Sequence, residues 1–494
     1  MVQCEWEHGI NLGVGCVMRE SRWAKSVAAV CVILLAWAVR LTNLAEQSLW
    51  VDEGITFARA TLPWGLVISN LLAVGNQTPL YYALLRPWFG LTGISEFALR
   101  FPSVWAATLT VPVVYIIGKD ARDGLTGLTA AMLLALSPFH VWYAQEARMY
   151  APGMLTSALV LCAFVRALRC RGWRWWLLLA LFSTVAYMVH YFTLTLVAVQ
   201  FVVFLCHLGR LYPRLRRWVV AQALAVLPAV VWMTMAMIRR GTTRLGGSWI
   251  PHPSLLAPLY TFCNFSLGYE QDPPPLVVVG WVLFLVVSGL TFRYRGKGCW
   301  RPTLLAWIGV PVLATFLLSL RRPYYMDRYL AVVLPGFEVW VAVGAMVLPR
   351  RWRMVVTGAL LAVSVLAVSG VLAGTRYQKE DWRSAVGQVR EMAYPGDRLF
   401  VAGPEDVPVS TYYLEGALPL DVGLPEPSSE SRIWFLYRVP IESNHLLGEP
   451  VWFDLASHAD PTVQDWREKY AGQLLGEWEY PGLALFLLGE SSGS

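Results

Sequence analysis

Charge is scarce in this sequence. Of 494 residues, 15% are Asp, Glu, Lys or Arg and 56% are hydrophobic, whereas soluble domains carry about 25% charged and roughly 45–50% apolar residues. So few charges cannot keep the surface of so large a chain in water, which excludes a large soluble protein. Cysteine is absent where it would matter most. The eight lie at positions 4, 16, 31, 162, 170, 206, 263 and 299, so the last stretch of about 120 residues holds no disulfide framework and no thiolate zinc site. No Walker loop, dinucleotide glycine fingerprint, His-Glu-x-x-His helix or paired Cys-x-x-Cys occurs, which argues against soluble nucleotide donors and zinc hydrolysis. A basic arm is missing too. The formal charge is +7, but Lys and Arg sit in short clusters between apolar blocks, so a nucleic-acid partner is not expected. No small-residue cleavage site follows the first apolar block, Val27 to Leu44, which reads as an uncleaved helix.

What the sequence does have is apolar blocks of about 15–20 residues, the length needed to cross roughly 30 Å of hydrocarbon. Candidate spans fall at 26–44, 100–118, 124–140, 151–168, 175–190, 193–209, 218–238, 276–292, 303–320, 329–348 and 354–373. Basic clusters mark alternate ends: Arg19 to Lys25, Lys119 and Arg122, Arg166 to Arg174, Arg210 to Arg217, Arg293 to Arg301, and Arg350 to Arg353. By the positive-inside rule those ends are cytoplasmic. The expected fold class is mainly α, a polytopic transmembrane bundle of about 11 spans with a small C-terminal extracytoplasmic α/β domain. The expected division is a membrane domain over 1–375, with a first extracytoplasmic loop of interfacial helices at about 45–99, and a soluble domain over 376–494. The tail has restored charge, period-two apolar runs at Arg398 to Ala402 and Arg432 to Tyr437, and an amphipathic stretch at Trp382 to Met392. With the N-terminus cytoplasmic in the cell membrane and an odd number of spans, the first loop, the segments around 145–150, 190–191, 239–275 and 321–328, and the tail share one outer face.

Several polar residues on that face invite chemistry. In Ser48-Leu-Trp-Val-Asp-Glu-Gly54, the acidic pair Asp52 and Glu53 follows the first span closely, where a carboxylate loses much of its hydration. It can serve as a general base or metal ligand near the membrane surface, or as an interfacial helix cap or solvated turn. Ser137-Pro-Phe-His-Val-Trp-Tyr-Ala-Gln-Glu-Ala-Arg-Met-Tyr150 sets Glu146 and Arg148 in an aromatic rim, as site residues or as a structural clamp. His190 and Tyr191 end a later span. Arg328, in Arg321-Arg-Pro-Tyr-Tyr-Met-Asp-Arg-Tyr329, breaks the positive-inside bias; its planar fork suits phosphate, and snorkelling to headgroups is the alternative.

These segments, with Thr-Pro-Leu-Tyr-Tyr at 78–82, Glu96-Phe-Ala-Leu-Arg-Phe-Pro-Ser103, His190-Tyr191 and Asp327-Arg-Tyr-Leu330, resemble the polyprenyl-phosphate-sugar-dependent membrane glycosyltransferases of the GT-C superfamily. The likeness is to the protein-mannosyltransferase-like group (glycosyltransferase family 39) and its relative, the lipid A aminoarabinose transferase. It covers about the first 400 residues and is most specific over 137–150.

The resemblance implies a GT-C bundle with Asp52 as catalytic base, Glu53 as its acidic partner, Glu146 and Arg148 in the site, and Arg328, with His190, near the lipid phosphate. Tyr191 is placed with the substrate-binding group. Relatives often carry a basic residue before the Pro-Leu-Tyr-Tyr element, whereas Gln77 and Thr78 stand here. The implied partners are the lipid bilayer, a polyprenyl-phosphate-linked sugar donor and a protein, lipid or glycan acceptor, with hexosyl or pentosyl transfer left open. No cofactor is required by this reading, and an Asp-Glu pair leaves room for a divalent cation. Two other functions fit the same composition: a lipid-linked glycan flippase, and a ligase or polymerase using lipid diphosphate donors.

Overall fold

The computed structural model describes residues 15–74, 77–170, 172–240, 250–269, 273–296, 298–374, 379–427, 431–439, 442–443, 450–451 and 461–489. Seven helices among them are long and apolar enough to cross a bilayer: Glu96–Ala121, Tyr150–Arg169, Leu208–Arg239, Pro275–Arg293, Trp300–Ser319, Tyr329–Val347 and Arg350–Leu372. An eighth crossing is offered by Gly124–Ala135 with Pro138–Ala144, bent by 59° at their junction. The remaining expected spans correspond to Ser26–Leu41, Arg174–Val189 and Tyr191–Cys206, each shorter than 18 residues. By length and composition the structure therefore carries seven or eight crossings where about eleven are expected from sequence.

The bend has a clear physical origin. Ser137 accepts a hydrogen bond from the His140 N–H and Pro138 occupies the first helical position, so a new helix starts where the previous one has not finished crossing. Backbone carbonyls freed in apolar surroundings need donors. The Arg40 guanidinium supplies them, donating to the carbonyls of Leu134 (3.0 Å) and Ala135 (3.1 Å) and lying 2.5 Å from His140 Nδ1. Close packing elsewhere rests on small residues. A Cβ on Gly127 would lie 2.4 Å from the Tyr115 carbonyl oxygen, so the helices over 96–121 and 124–135 touch through bare backbone.

Basic clusters from separate loops meet at one end of the bundle. Arg166 pairs with Asp120 at 2.9 Å, and Arg122 and Arg353 both donate to the Met346 carbonyl, at 2.7 and 3.1 Å. At the other end lie the first loop and the tail. The first loop folds into three short helices, Val51–Thr61, Trp64–Val74 and Leu80–Thr92. Trp64, Leu66 and Ile68 leave large apolar surface exposed on the second.

The tail contains strands β1 (Arg398–Val401), β2 (Leu420–Val422), β3 (Ile433–Arg438), β4 (Glu442–Ser443), β5 (Pro450–Val451), β6 (Leu474–Tyr480) and β7 (Leu483–Leu488). Five form one sheet in the order β2-β1-β3-β7-β6, with β1 parallel to both neighbours and β7 antiparallel to both of its own. Side chains alternate between the faces. Ile433, Phe435, Tyr437, Phe486 and Leu488 pack with Val463 and Trp466 on one side. Trp434, Leu436, Leu485 and Leu487 face the other, where helices Trp382–Met392 and Val407–Leu414 join them with Leu49, Val51, Ala60, Tyr81 and Leu85 of the first loop. The tail is therefore not closed on itself: one of its two cores is completed by the first loop. The expected boundary at 375/376 lies outside the described residues.

Candidate active site

The helix Val51–Thr61 carries both acidic residues in its first turn. Successive helical side chains point about 100° apart, so Asp52 and Glu53 face different surroundings. Glu53 is fully buried. Its Oε1 accepts from Arg100 Nε at 2.9 Å and from the Ala147 N–H at 2.8 Å, and its Oε2 from Arg100 Nη2 at 2.7 Å and Lys379 Nζ at 3.1 Å. Arg100 spends its remaining donors on the carbonyls of Leu44, Gln47 and Ser48. A guanidinium has five N–H donors, and all five are engaged here. Burial pushes the Glu53 carboxyl up, but the charges of Arg100 and Lys379 with these hydrogen bonds outweigh it and hold it at about 2.

Asp52 is the accessible member, with its side chain 28% exposed. Arg148 approaches its Oδ2 through Nη2 at 3.4 Å and donates from Nη1 to the Asp52 carbonyl at 3.2 Å and to Thr56 Oγ1 at 3.4 Å. Arg328 Nη1 lies 4.0 Å from the same Oδ2, with its guanidinium over the rings of Trp50 and Tyr329. Both arginines are buried. Burial disfavours the Arg148 cation, yet Asp52 together with Tyr150 and Tyr82 outweighs it, so the Arg148 pKa is raised. Three segments far apart in sequence thus deliver one half-exposed carboxylate and two buried guanidinium groups to a single point.

Glu146 is buried nearby, and its Oε2 has no hydrogen-bond partner among the described residues. Burial raises its pKa above the usual carboxylate range against the pull of Lys379. His190 is buried against Tyr150, Phe192 and Tyr329, and its Nδ1 accepts from the Phe192 N–H at 3.3 Å. Burial, then Arg148, pull its pKa below the ordinary imidazole value. Tyr191 is turned elsewhere. Its hydroxyl donates to the Gln77 carbonyl at 3.2 Å, beside Trp232 Nε1 on the same oxygen at 3.1 Å. Thr78 is likewise occupied, donating to the Val189 carbonyl at 2.6 Å.

Sequence reasoning passed over Arg100 and Lys379. Arg100 lies inside the segment 96–103, where a cation at the outer end of an expected span breaks the positive-inside bias; Lys379 sits in a polar run with nothing to mark it. Among the described residues no group of three or more His, Cys, Asp or Glu is gathered as if to hold a metal ion.

In sequence, residues 76–238 match the family described as dolichyl-phosphate-mannose-protein mannosyltransferase. That stretch holds the Pro79 element, the 137–150 motif and His190; Asp52 and Arg328 lie outside it. No curated protein matches the chain in sequence. In structure it is similar to ArnT from Cupriavidus metallidurans bound to undecaprenyl phosphate, at 12% identity and TM-score 0.58 over 94% of this chain and 97% of that one. The apo state of the same protein gives TM-score 0.56 at 12% identity, over 95% and 98%. The Archaeoglobus fulgidus oligosaccharyltransferase in complex with zinc and sulfate gives TM-score 0.50 at 12% identity, over 94% of this chain and 73% of that one. At such identities the structural likeness is one of fold. The family match covers residues 76–238, about a third of the chain, and the structural likeness extends over nearly all of it.

Proposed function

We propose, from the protein-mannosyltransferase-like GT-C character of this chain, that it is an inverting glycosyltransferase acting on a polyprenyl-phosphate-linked sugar at the outer side of the cytoplasmic membrane. The observation that carries the reading is the meeting of Asp52, Arg148 and Arg328. A sugar phosphate on lipid brings its own good leaving group, so the site needs a base for the acceptor and cations for the departing phosphate. Asp52 takes the proton from an acceptor hydroxyl or amine as that atom bonds to the anomeric carbon. The bond from that carbon to the phosphate oxygen breaks, its electron pair leaves with the polyprenyl phosphate, and Arg148 and Arg328 hold the added charge. Attack opposite the leaving group inverts the anomeric centre, and one exposed carboxylate suffices for it.

Before donor binds, the two guanidinium groups lean on Asp52. The donor's phosphodiester, a monoanion whose two non-bridging oxygens match the planar forks, competes for them and frees the carboxylate to act as a base, and the charge gained as the phosphate departs strengthens that hold. Glu53, with four bonds to its oxygens, anchors the helix in this reading. His190 contributes shape and hydrogen bonding, not charge. Arg59 lies seven positions after Asp52 on the same helix face, its Nη1 3.4 Å from the Tyr82 hydroxyl, and we assign it the cationic role that Gln77 and Thr78 cannot fill.

Counting the bent pair once and adding the three shorter apolar helices gives eleven crossings, with the N-terminus cytoplasmic. The tail from about 376 is then an outer domain beside the site. The acceptor is a protein, lipid or glycan reached from that face. The test is release of polyprenyl phosphate by the purified full-length protein from a panel of undecaprenyl-phosphate hexoses and pentoses with a mixed acceptor extract. Release from at least one donor, abolished in Asp52→Asn, is expected; wild-type inertness toward the whole panel would overturn the reading.

A further inference from the structure

The helix that carries Asp52 is held from an unexpected direction. A helix start leaves backbone N–H groups without intrahelical partners. Here the residue before the first turn, Trp50, provides no side-chain cap. The Val51 N–H instead donates to Glu380 Oε2 at 3.1 Å, an oxygen that also accepts from Trp382 Nε1. One residue earlier in the tail, Lys379 Nζ reaches Glu53 Oε2 at 3.1 Å and the Gln145 carbonyl at 3.2 Å.

Neighbouring contacts repeat the pattern. The Leu49 N–H donates to the Tyr413 hydroxyl at 2.7 Å, the Arg383 N–H donates to Ser48 Oγ at 3.1 Å, and the Arg383 guanidinium donates to the carbonyls of Ala45 (2.8 Å) and Glu46 (2.9 Å). Against the outer side of the helix, a Cβ on Gly54 would lie 2.6 Å from Val409 Cβ and 2.8 Å from Val409 Cα, so the tail helix Val407–Leu414 rests on bare backbone. Asp52 receives none of these bonds: its carboxylate faces Arg148 and Arg328. The tail grips the residues on either side of Asp52 and leaves the reacting group to the membrane portion.

We propose that Lys379 and Glu380 are positioning residues of the transfer reaction. They act through Glu53 and the Val51 N–H to fix the first turn of the helix, and thereby the Asp52 carboxylate, relative to the two arginines. The tail is in this sense part of the active centre, in addition to any role in meeting the acceptor. The inference rests on the reading of Asp52 as the base. A buried ammonium and a carboxylate that accepts from a helix N-terminus are costly groups to place in a linker, and both converge on one turn of one helix. A displacement of about 1 Å at a reacting group costs on the order of 10²-fold in rate, so a loosened first turn registers in turnover before it registers in binding.

The experiment compares full-length Lys379→Met, Glu380→Leu and Glu380→Gln with wild type, in detergent, after the folded fraction of each has been determined. Binding is read with undecaprenyl phosphate alone, and kcat per folded molecule with the donor that wild type uses. Lys379→Met and Glu380→Leu are expected to lower kcat at least about tenfold while the Kd for undecaprenyl phosphate stays within about threefold. Glu380→Gln, whose amide oxygen still accepts from the Val51 N–H, is expected to keep kcat within about threefold. A residue that only stabilises the fold would change the folded fraction and leave kcat per folded molecule alone. Should Lys379→Met not fold, Lys379→Gln, which retains a donor without the charge, gives the same comparison. Unchanged kcat in both the Lys379 and the Glu380→Leu variants would overturn the inference and leave the glycosyltransferase reading standing. A parallel loss of binding and kcat would overturn it too, and a wild type without transferase activity would overturn both.

Discussion

Arg100 and Glu53, 47 positions apart, share two parallel hydrogen bonds of 2.9 and 2.7 Å in a site that excludes water from both. Breaking one partner of such a buried pair leaves an uncompensated charge and typically costs about 3–5 kcal/mol. Arg100→Met and Glu53→Gln should therefore lower the melting temperature and folded yield in detergent, and, because Glu53 ties Lys379 to the helix that carries Asp52, kcat per folded molecule should fall as well. Because Glu53 titrates at about 2 in the folded chain, below its ordinary value of 4.5, its contribution is full above about pH 4.5 and is lost as pH falls toward 2. The difference in melting temperature between wild type and Glu53→Gln should shrink over that window. An unchanged difference down to pH 3 would show that the carboxylate is not held as described.

Asp52→Asn keeps size and hydrogen-bonding capacity and removes basicity. Turnover should fall on the order of 10² or more, with donor binding retained. Transfer assays and labelled-donor binding on the same folded sample check this. Near-normal transfer would refute the base, and lost donor binding would point to a metal ligand or a structural role instead.

Arg328→Gln and Arg148→Gln should behave in the opposite sense. Each removes a charge-assisted contact worth roughly 1.5–3 kcal/mol, so the Kd for polyprenyl phosphate should rise about 10- to 150-fold. Arg148→Gln should also disturb the Asp52 backbone, since Arg148 donates to its carbonyl, and so lower kcat as well. Equal donor affinity in wild type and Arg328→Gln, measured by titration with undecaprenyl phosphate, would remove the phosphate from this place.

Topology is tested by reporters. A fusion after Ser494 should be active only outside the cytoplasm and one within 210–217 only inside, following the alternation of basic clusters. Cytoplasmic activity of the first fusion would invert the orientation of the site.

The parts of this architecture that could be read from sequence were those carried by local pattern. Apolar block length located the long helices, and the segment 137–150 gave away its aromatic rim, because residues 3–4 apart on a helix announce a shared face. The tail's elements were legible in the same way: Trp382–Met392 is an amphipathic helix, and the alternating runs became β1 and β3. Partnerships between distant segments were not legible. Nothing near Lys379 signals that its ammonium ends on Glu53, and nothing near Arg40 signals that its guanidinium reaches the carbonyls of Leu134 and Ala135. The pairing of Asp52 with Glu53 as joint workers also dissolved for a geometric reason, since adjacent positions on a helix cannot look the same way.

The shared core of first loop and tail carries a consequence for biosynthesis. Leu49 and Val51 belong to the same core as Leu485 and Leu487, which leave the ribosome more than 400 residues later. At about 5–20 residues per second, the first loop waits roughly 20–90 s with part of its apolar surface uncovered. The Glu380 cap arrives earlier in that interval, 329 residues after Val51, and the covering helix Val407–Leu414 follows it. On the proposed reading of Asp52 as the base, the helix that carries it gains its full support only when the last strands have been made, however completely the membrane helices have been inserted.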